Sequence, residues 1–389
     1  MEIVSQFVNS MFGSLLAMTP IGIIKMIAMW GIGGLLIYLA IEKDMEPSLL
    51  LPMGFGAILV NLPFSGAITQ ELLGEEGPLS VLFAAGIDNE LFPLILFIGI
   101  GAMIDFGPLL SNPKLLLFGA AAQFGIFVTL LLAATVGHFF PGTFSIQDAA
   151  ATGIIGAADG PTAIFLAKYY DTQYMGAIMV AAYSYMALVP IIQPPCIKLV
   201  TTKKERMIRM PYTASEVKRH VRILFPIIVT GIAGLIAPRS VALVGFLMFG
   251  NLIRECGVLN SLSDTAQNVL ANLITVFLGM TVAVRMQADE FLTWTTLLIM
   301  CLGLLAFVFD TIGGVMFAKF INLFSKEKVN PMIGACGISA FPMSSRVVHK
   351  MGLAEDNQNF LLMHATGVNV GGQIASVIAG GLILNLIAK

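Results

Sequence analysis

Apolar runs recur along the chain near 21–41, 49–62, 92–106, 115–138, 149–168 and 174–199. A second series follows near 222–237, 241–253, 268–285, 296–321, 331–348 and 359–387. The longer runs reach or exceed the ~20 residues that a helix needs to cross hydrocarbon. The shorter ones predict tilted, re-entrant or half-helical pieces. The pattern therefore predicts an all-α polytopic membrane protein. Thirty-nine glycines suit close helix approach in lipid.

Composition supports this class. Of 389 residues, 57% are hydrophobic and 11% charged, against roughly a quarter charged in soluble domains. The mean hydropathy is +0.89. A net charge of -2 offers no strongly basic face for nucleic acid. Cys196, Cys256, Cys301 and Cys336 stand singly, without the spacing of a zinc site or a disulfide framework. Met1 to Thr19 is moderately apolar, contains Glu2 and lacks a basic start, which reads against a cleaved signal peptide.

The most polar stretch, Thr201 to Arg222, carries Lys203, Lys204, Arg206, Arg209, Lys218, Arg219 and Arg222 against Glu205 and Glu216. The positive-inside rule places it in the cytoplasm, and Lys319, Lys326 and Lys328 point the same way. The acidic loop around Glu71, Glu75 and Glu76 fits the outside. The expected organisation is a first membrane repeat over 1–200, a basic linker over 201–222 and a second membrane repeat over 223–389.

The two series read as internal repeats. Phe97-Ile98-Gly99 matches Phe277-Leu278-Gly279. Ile155-Gly156-Ala157, followed by Asp159 and Pro161, resembles Ile333-Gly334-Ala335, followed by Ser339 and Pro342. Gly99 to Asp159 is 60 residues, and so is Gly279 to Ser339. Repeats with an interrupted helix at the same place in each half point to a transporter substrate site. The expected fold is two repeats, inverted, each with a discontinuous or re-entrant helix near the bilayer midplane.

Asp159 is the centre of the candidate chemistry. A carboxylate in hydrocarbon is expensive, and Gly160-Pro161 beside it interrupts a helix. Broken backbone at membrane depth belongs where protein buries it or water reaches it. Two compatible readings stay open: a cation ligand that also takes a proton, or a cap on a half-helix. The second break, Asn330 to Arg346, offers Asn330, Ser339, Ser344, Ser345 and freed carbonyls as oxygen donors for sodium or a similar hard cation. Close helix packing by small residues is the bland alternative.

Tyr183 and Tyr185 lie two apart on a helix and so do not share a face. Asn369 is a polar side chain in an apolar segment, suited equally to an interhelical hydrogen bond. His364 reads as structural. Arg346 stands near the second break, where a guanidinium suits a planar carboxylate. Asp105 and Arg285 occupy equivalent places in the two halves and read as helix ends. Asp310 is a second intramembrane acid.

Four blocks together resemble a known family: Phe97 to Leu110, Gly153 to Ile164, Ala181 to Pro190 with Ile192-Gln-Pro-Pro195, and Asn359 to Ala365. They are similar to the beta subunit of the biotin-dependent sodium-pumping decarboxylases, which act on oxaloacetate, methylmalonyl-CoA or glutaconyl-CoA. The resemblance runs from about residue 20 to the end. Oxaloacetate members have a longer loop where this chain has Pro63 to Asn89, which leans toward the acyl-CoA enzymes.

The resemblance implies a membrane subunit that decarboxylates carboxybiotin on a carrier subunit, consumes a proton and exports sodium. It implies a carboxyltransferase alpha subunit, a biotin carrier protein and a small gamma or delta membrane anchor as partners, with lipid around a homo-oligomer in the bacterial inner (cytoplasmic) membrane. It implies sodium and proton binding at Asp159. The family's second-break residues fall on Asn330, Gly334, Ser339 and Arg346, its cation- or proton-linked tyrosine on Tyr185, and its asparagine on Asn369. Arg346 is the candidate for the carboxybiotin carboxylate. A stand-alone sodium-coupled carboxylate transporter or sodium/proton antiporter is the alternative, because the same breaks and acid would serve it. A non-catalytic anchor is the third reading, but it needs neither Asp159 between helix breakers nor a second break.

Overall fold

The computed structural model describes residues 18–63, 65–69, 76–211 and 217–388. The opening segment weighed as a signal peptide lies almost wholly outside the described residues, as do Glu71 and Glu75 of the acidic loop and Glu216 of the basic stretch. Among the described residues all regular structure is helical, and seven helices are long and apolar enough to cross a membrane. This is a multi-pass membrane protein.

The apolar runs became helices where a cap or a proline starts them. Pro20–Glu42 (α1) begins with Thr19, whose hydroxyl accepts the Gly22 N–H at 3.1 Å, followed by proline at the first helical position. Pro47–Val60 (α2) also starts on a proline, but without a side-chain cap: Glu46 before it takes a left-handed φ of 40°. These two helices belong to one compact unit, Met1–Phe92 with Leu273–Leu297. Within it Asn61 ties α2 to the later segment. Its amide nitrogen donates to Met286 O and its oxygen accepts from Ala288 N–H, both at 2.8 Å.

The second unit, Pro93–Asn272 with Leu298–Lys389, holds every residue of interest below. Leu115–Ala122 (α3) and Phe124–Phe139 (α4) are separated at Gln123. Ile146–Gly153 (α5) and Gly160–Tyr169 (α6) flank the first break. Met175–Val200 (α7) carries Pro190, Pro194 and Pro195. Arg219–Ile236 (α8) is 11% buried, whereas Leu362–Leu386 (α11) is 89% buried. Protein therefore encloses most of α11, whereas α8 turns most of its surface outward. Between them in sequence come Trp294–Phe324 (α9) and Met343–Glu355 (α10).

The basic stretch after α7 is pinned to the end of α10. Thr202 and Glu205 form a reciprocal capping box around the one-turn helix Lys203–Arg206. Arg206 pairs with Glu355 at 2.7 Å, and Lys319 pairs with Glu205 at 3.1 Å. Arg209 grips Asp356 with two nitrogens, at 2.5 and 3.0 Å. The Arg209 guanidinium, with the Gln358 N–H, holds the Asp356 carboxyl below its ordinary value of 3.8. A carboxyl depressed by folding stabilises above its unfolded value, and that contribution disappears as the pH falls through the folded value. Acidification below about 3.8 is therefore expected to loosen this stretch in the wild type. Asp356→Asn should already be loose at neutral pH and should show no further change over that window. Limited proteolysis with an acid-stable protease reads both, and equal cutting of wild type and variant at neutral pH would contradict the assignment.

Candidate ion site

The first break forms because its residues forbid a continuous helix. After α5 the chain tightens to 3-10 over Ile154–Ala157, and Ala158 takes a left-handed φ of 51°. A non-glycine residue held there costs about 1–3 kcal/mol and persists only when its surroundings fix it. Asp159 follows in extended conformation and becomes the N-cap of α6, with proline in the first turn. Its carboxylate accepts the Thr162 hydroxyl at 2.7 Å and the Thr162 N–H at 3.4 Å. Asp159 is 4% exposed.

The second break is a longer 3-10 run, Pro331–Gly337, started by Asn330 as its cap. A 3-10 segment buried in protein leaves carbonyls that need donors. Two glutamines from other parts of the chain supply donors to two of them. Gln193 on α7 donates to Ala335 O at 2.8 Å and accepts the Ser344 hydroxyl at 2.9 Å. Gln123, at the α3–α4 separation, donates to Gly337 O at 3.0 Å. Gly334 meets Gly314 of α9 backbone to backbone: a Cβ on Gly334 would fall 2.0 Å from Gly314 O. Only hydrogen fits there.

The two breaks meet directly. The Ser339 N–H donates to Ala157 O at 2.9 Å. Ser376 of α11 then joins their side chains, donating to Asp159 at 3.1 Å and hydrogen bonding the Ser339 hydroxyl. Gln373 donates to Ser339 O, and Asn369 donates to Ile338 O at 2.7 Å. Asn369, Gln373 and Ser376 are spaced i, i+4, i+7, one face of a helix. The amide oxygens of Asn369 and Gln373 are buried and have no hydrogen-bond partner. The result is a buried group of one carboxylate, three hydroxyls and two free amide oxygens. Oxygen donors of this kind suit a hard monovalent cation. Among the described residues no cluster of three or more His, Cys, Asp or Glu side chains is set up for a metal ion.

Of the residues singled out in the sequence, Asp159, Ser339 and Asn369 stand in this network. Asn330 stands apart from it. Its amide nitrogen is spent on Arg206 O and Ile208 O, both at 2.8 Å, and its oxygen caps the Met332 N–H. The seven-residue 3-10 run beyond it rises roughly 2 Å per residue, about 14 Å in all, so Asn330 and Ser339 lie at opposite ends of the break. Gly334 shapes the crossing with α9. Arg346 is exposed on α10, and its side chain makes no ion pair or hydrogen bond among the described residues.

The two tyrosines diverge as their spacing predicts. The Tyr185 hydroxyl donates to Met300 O of α9. Tyr183 lies against the first break: a Cβ on Gly160 would fall 2.1 Å from its ring. The Tyr183 hydroxyl is buried without a partner. Sequence reasoning passed over Thr162, Gln193, Gln373 and Ser376. The i, i+4, i+7 polar face of α11 was the available signal for two of them.

The profile of a family described as "Na+-transporting oxaloacetate decarboxylase beta subunit" matches residues 25–387. The chain is 50% identical over 368 residues to methylmalonyl-CoA decarboxylase subunit beta of Propionigenium modestum, covering 90% of this chain and 92% of that one. It is 48% identical over 358 residues to the subunit of the same name from Veillonella parvula, covering 92% of each. With the oxaloacetate decarboxylase beta chain of Klebsiella pneumoniae the identity is 46% over 403 residues, covering 91% and 93%.

If Ser339 and Ser376 join the two breaks into one network, removing both hydroxyls will not cost the sum of removing each. Ser339→Ala and Ser376→Ala are expected to destabilise the protein by about 1–2 kcal/mol apiece, with a coupling of at least about 0.5 kcal/mol in the double variant. Thermal unfolding of the four proteins in detergent measures this, and strict additivity would refute the connection.

Proposed function

Because this chain belongs to the family of sodium-transporting oxaloacetate decarboxylase beta subunits, we propose that it decarboxylates carboxybiotin and moves sodium across a membrane. The observation that carries the site assignment is the buried hydrogen-bonded group of Asp159, Thr162, Ser339 and Ser376 where the two breaks touch. Sodium is the cargo, held by these oxygens, with the amide oxygens of Asn369 and Gln373 completing the set. Asn330 fixes the cytoplasmic end of the second break, and Gly334 lets that break lie against α9.

The chain works within a multi-subunit decarboxylase. A carboxyltransferase alpha subunit loads biotin on a carrier protein, and a small gamma or delta subunit anchors the soluble parts. Arg346, exposed and unpaired, receives the carboxylate of carboxybiotin. The assembly sits in the bacterial inner membrane as a homo-oligomer, with the basic stretch 201–222 facing the cytoplasm. The halves 1–200 and 223–389 are inverted repeats whose breaks lie near the bilayer midplane. What supports this is the equal 60-residue spacing from Gly99 to Asp159 and from Gly279 to Ser339, together with the backbone bond between the breaks. The short stretch from Pro63 to Asn89 favours an acyl-CoA substrate for the complex.

The mechanism follows from charge. Carboxybiotin at the cytoplasmic side favours the state in which Asp159 is ionised and holds sodium. Loss of carbon dioxide would break the N–C bond, and the biotin nitrogen would take the proton that Asp159 gives up when it next binds sodium. Protonating Asp159 from the outside removes the charge that held sodium, and the cation leaves outward. Tyr185 stands in the same proton path, with its hydroxyl on α9. A ligand moves such an equilibrium only by its differential affinity for the two states, about 5.5 kcal/mol for a near-complete switch. The stand-alone transporter reading is set aside, because the family and the relatives are decarboxylase subunits over nearly the whole chain.

Asp159→Asn is expected to abolish both sodium-stimulated decarboxylation and sodium uptake in vesicles bearing the assembled complex. Ser376→Ala removes one oxygen and should raise the sodium concentration for half-maximal decarboxylation about tenfold, the equivalent of ~1.4 kcal/mol. Retention of full sodium-dependent turnover by Asp159→Asn would end this reading.

A further inference from the structure

The mechanism above leaves one buried acid unused. Asp310 stands in the middle of α9, is 0% exposed, and has neither an ion pair nor a side-chain partner among the described residues. An unpaired carboxyl at this depth is functional by default. Its two oxygens are treated differently by the fold. Oδ1 accepts the N–H groups of Gly125 and Ile126 at 2.5 and 3.2 Å. Those donors are free because α3 and α4 are separated at Gln123, which exposes the first N–H groups of α4. Oδ2 has no hydrogen-bond partner.

The position of Oδ2 makes it more than a helix cap. It faces Gly156, in the 3-10 turn that leads into Asp159, and a Cβ on Gly156 would fall 2.4 Å from Oδ2. The turn therefore packs tightly on α9 at this oxygen and at Ala306, whose Cβ would lie 2.9 Å from the same point. The elements that touch Asp310 bring no second charge. Residues Phe124–Phe139 present two backbone N–H groups, and Ile154–Ala157 presents a glycine. The titratable side chain nearest along that turn is Asp159, three residues beyond Gly156. On α9 itself Cys301 and Lys319 are equally far along the helix, the Lys319 ammonium being paired with Glu205, and the Tyr185 hydroxyl of α7 binds at Met300. An oxygen with two backbone donors on its twin and nothing on itself is too poorly surrounded for sodium, which wants several oxygen ligands. A proton needs only that one atom.

We propose that Asp310 is a second proton-binding site, with Oδ2 the atom that takes the proton, mechanically linked to Asp159 through the Ile154–Ala157 turn. Binding forms an O–H bond and discharges the carboxylate. The neutral group keeps its Oδ1 bonds to Gly125 and Ile126, so α4 stays capped while the charge facing the first break is removed. Gain or loss of that charge changes what Gly156 meets, and so bears on the turn that delivers Asp159 to the sodium site. This role rests on the sodium-pumping reading above, but the protonation itself does not, and the two are tested separately.

Infrared spectra of the detergent-solubilised complex at neutral pH, compared in H2O and D2O, test protonation. In the Asp159→Asn background a protonated-carboxyl band should remain, shift in D2O, and disappear when Asp310→Asn is added. The role is tested in vesicles, where Asp310→Asn should lower the sodium moved per carbon dioxide released at least twofold. Asn keeps an oxygen for Gly125 and Ile126, so a merely structural role predicts no change in that ratio. Should Asp310→Asn not assemble, Gly156→Ala crowds Oδ2 without removing it and should shift the band and lower the ratio. Absence of the band in Asp159→Asn overturns the proposal, whatever the wild type pumps. So does its survival in the double variant, an unchanged ratio, or the loss of one bound sodium in place of a proton. A wild-type complex that moves no sodium while showing the band would remove the role and the function together.

Discussion

A single backbone hydrogen bond, from Ser339 N–H to Ala157 O, places two interrupted helices against each other inside the protein. Each interruption by itself is a liability, because hydrocarbon offers no water to satisfy freed N–H and C=O groups. Brought together and wrapped by α11, they satisfy one another. The remaining carbonyls take donors from Gln123, Gln193, Asn369 and Gln373. The carboxylate of Asp159 is tolerated in the same way, by three donors from Thr162 and Ser376. The site is thus the place where two costly features cancel, and its oxygen-rich character follows from that requirement.

Satisfaction is incomplete in a telling pattern. The atoms left without partners around the breaks include the amide oxygens of Asn369 and Gln373, the Tyr183 hydroxyl and Asp310 Oδ2. Leaving a buried polar group unsatisfied costs roughly 1–3 kcal/mol. A fold concerned only with stability would have filled these positions with apolar side chains. Most of them are acceptors, which is what a site that takes a cation or a proton must hold in reserve. The nitrogens of the same amides are all used, so the orientation of each side chain is fixed and its oxygen is presented.

Much of this was legible before any coordinates. Apolar runs located the helices because lipid imposes a length and a composition that few other environments do. Gly160-Pro161 beside Asp159, and Pro331 and Pro342 around the second stretch, announced the breaks, since a proline removes a backbone donor and here stands with glycines and a polar cap, whereas Pro190, Pro194 and Pro195 are carried within α7. Ser376 and Gln373 were missed because a hydroxyl or an amide in a membrane helix usually serves packing. Only the meeting of both breaks on one face of α11 gives them another role. Tyr183 and Tyr185 could be separated by helical spacing but not assigned, because the sequence does not say which side of α7 faces Gly160. Asn330 could likewise be located but not assigned. It is polar and close in sequence to Ser339, yet a 3-10 run stretches those residues apart and commits the amide to the linker.

The long helix α9 explains how events at the two breaks could be joined without a relay of charged groups. Near its start it takes the Tyr185 hydroxyl at Met300 and packs Gly303 against Ile155. A turn or two on, Asp310 faces Gly156, and one turn further Gly314 meets Gly334 backbone to backbone. One rigid element thus touches the first break at two levels and the second break at a third. Contacts this close have no slack: a shift of a few tenths of an ångström at Gly314 must be met by Gly334 or by the helix as a whole. Coupling requires an element with discrete arrangements that both sites bias, and spatial intermediacy alone does not supply one. The charge on Asp310 supplies a discrete variable here, because an anion and a neutral acid present different faces to the turn that holds Asp159. Close packing along α9, at Gly303, Asp310 and Gly314, is then the physical connection between the two breaks.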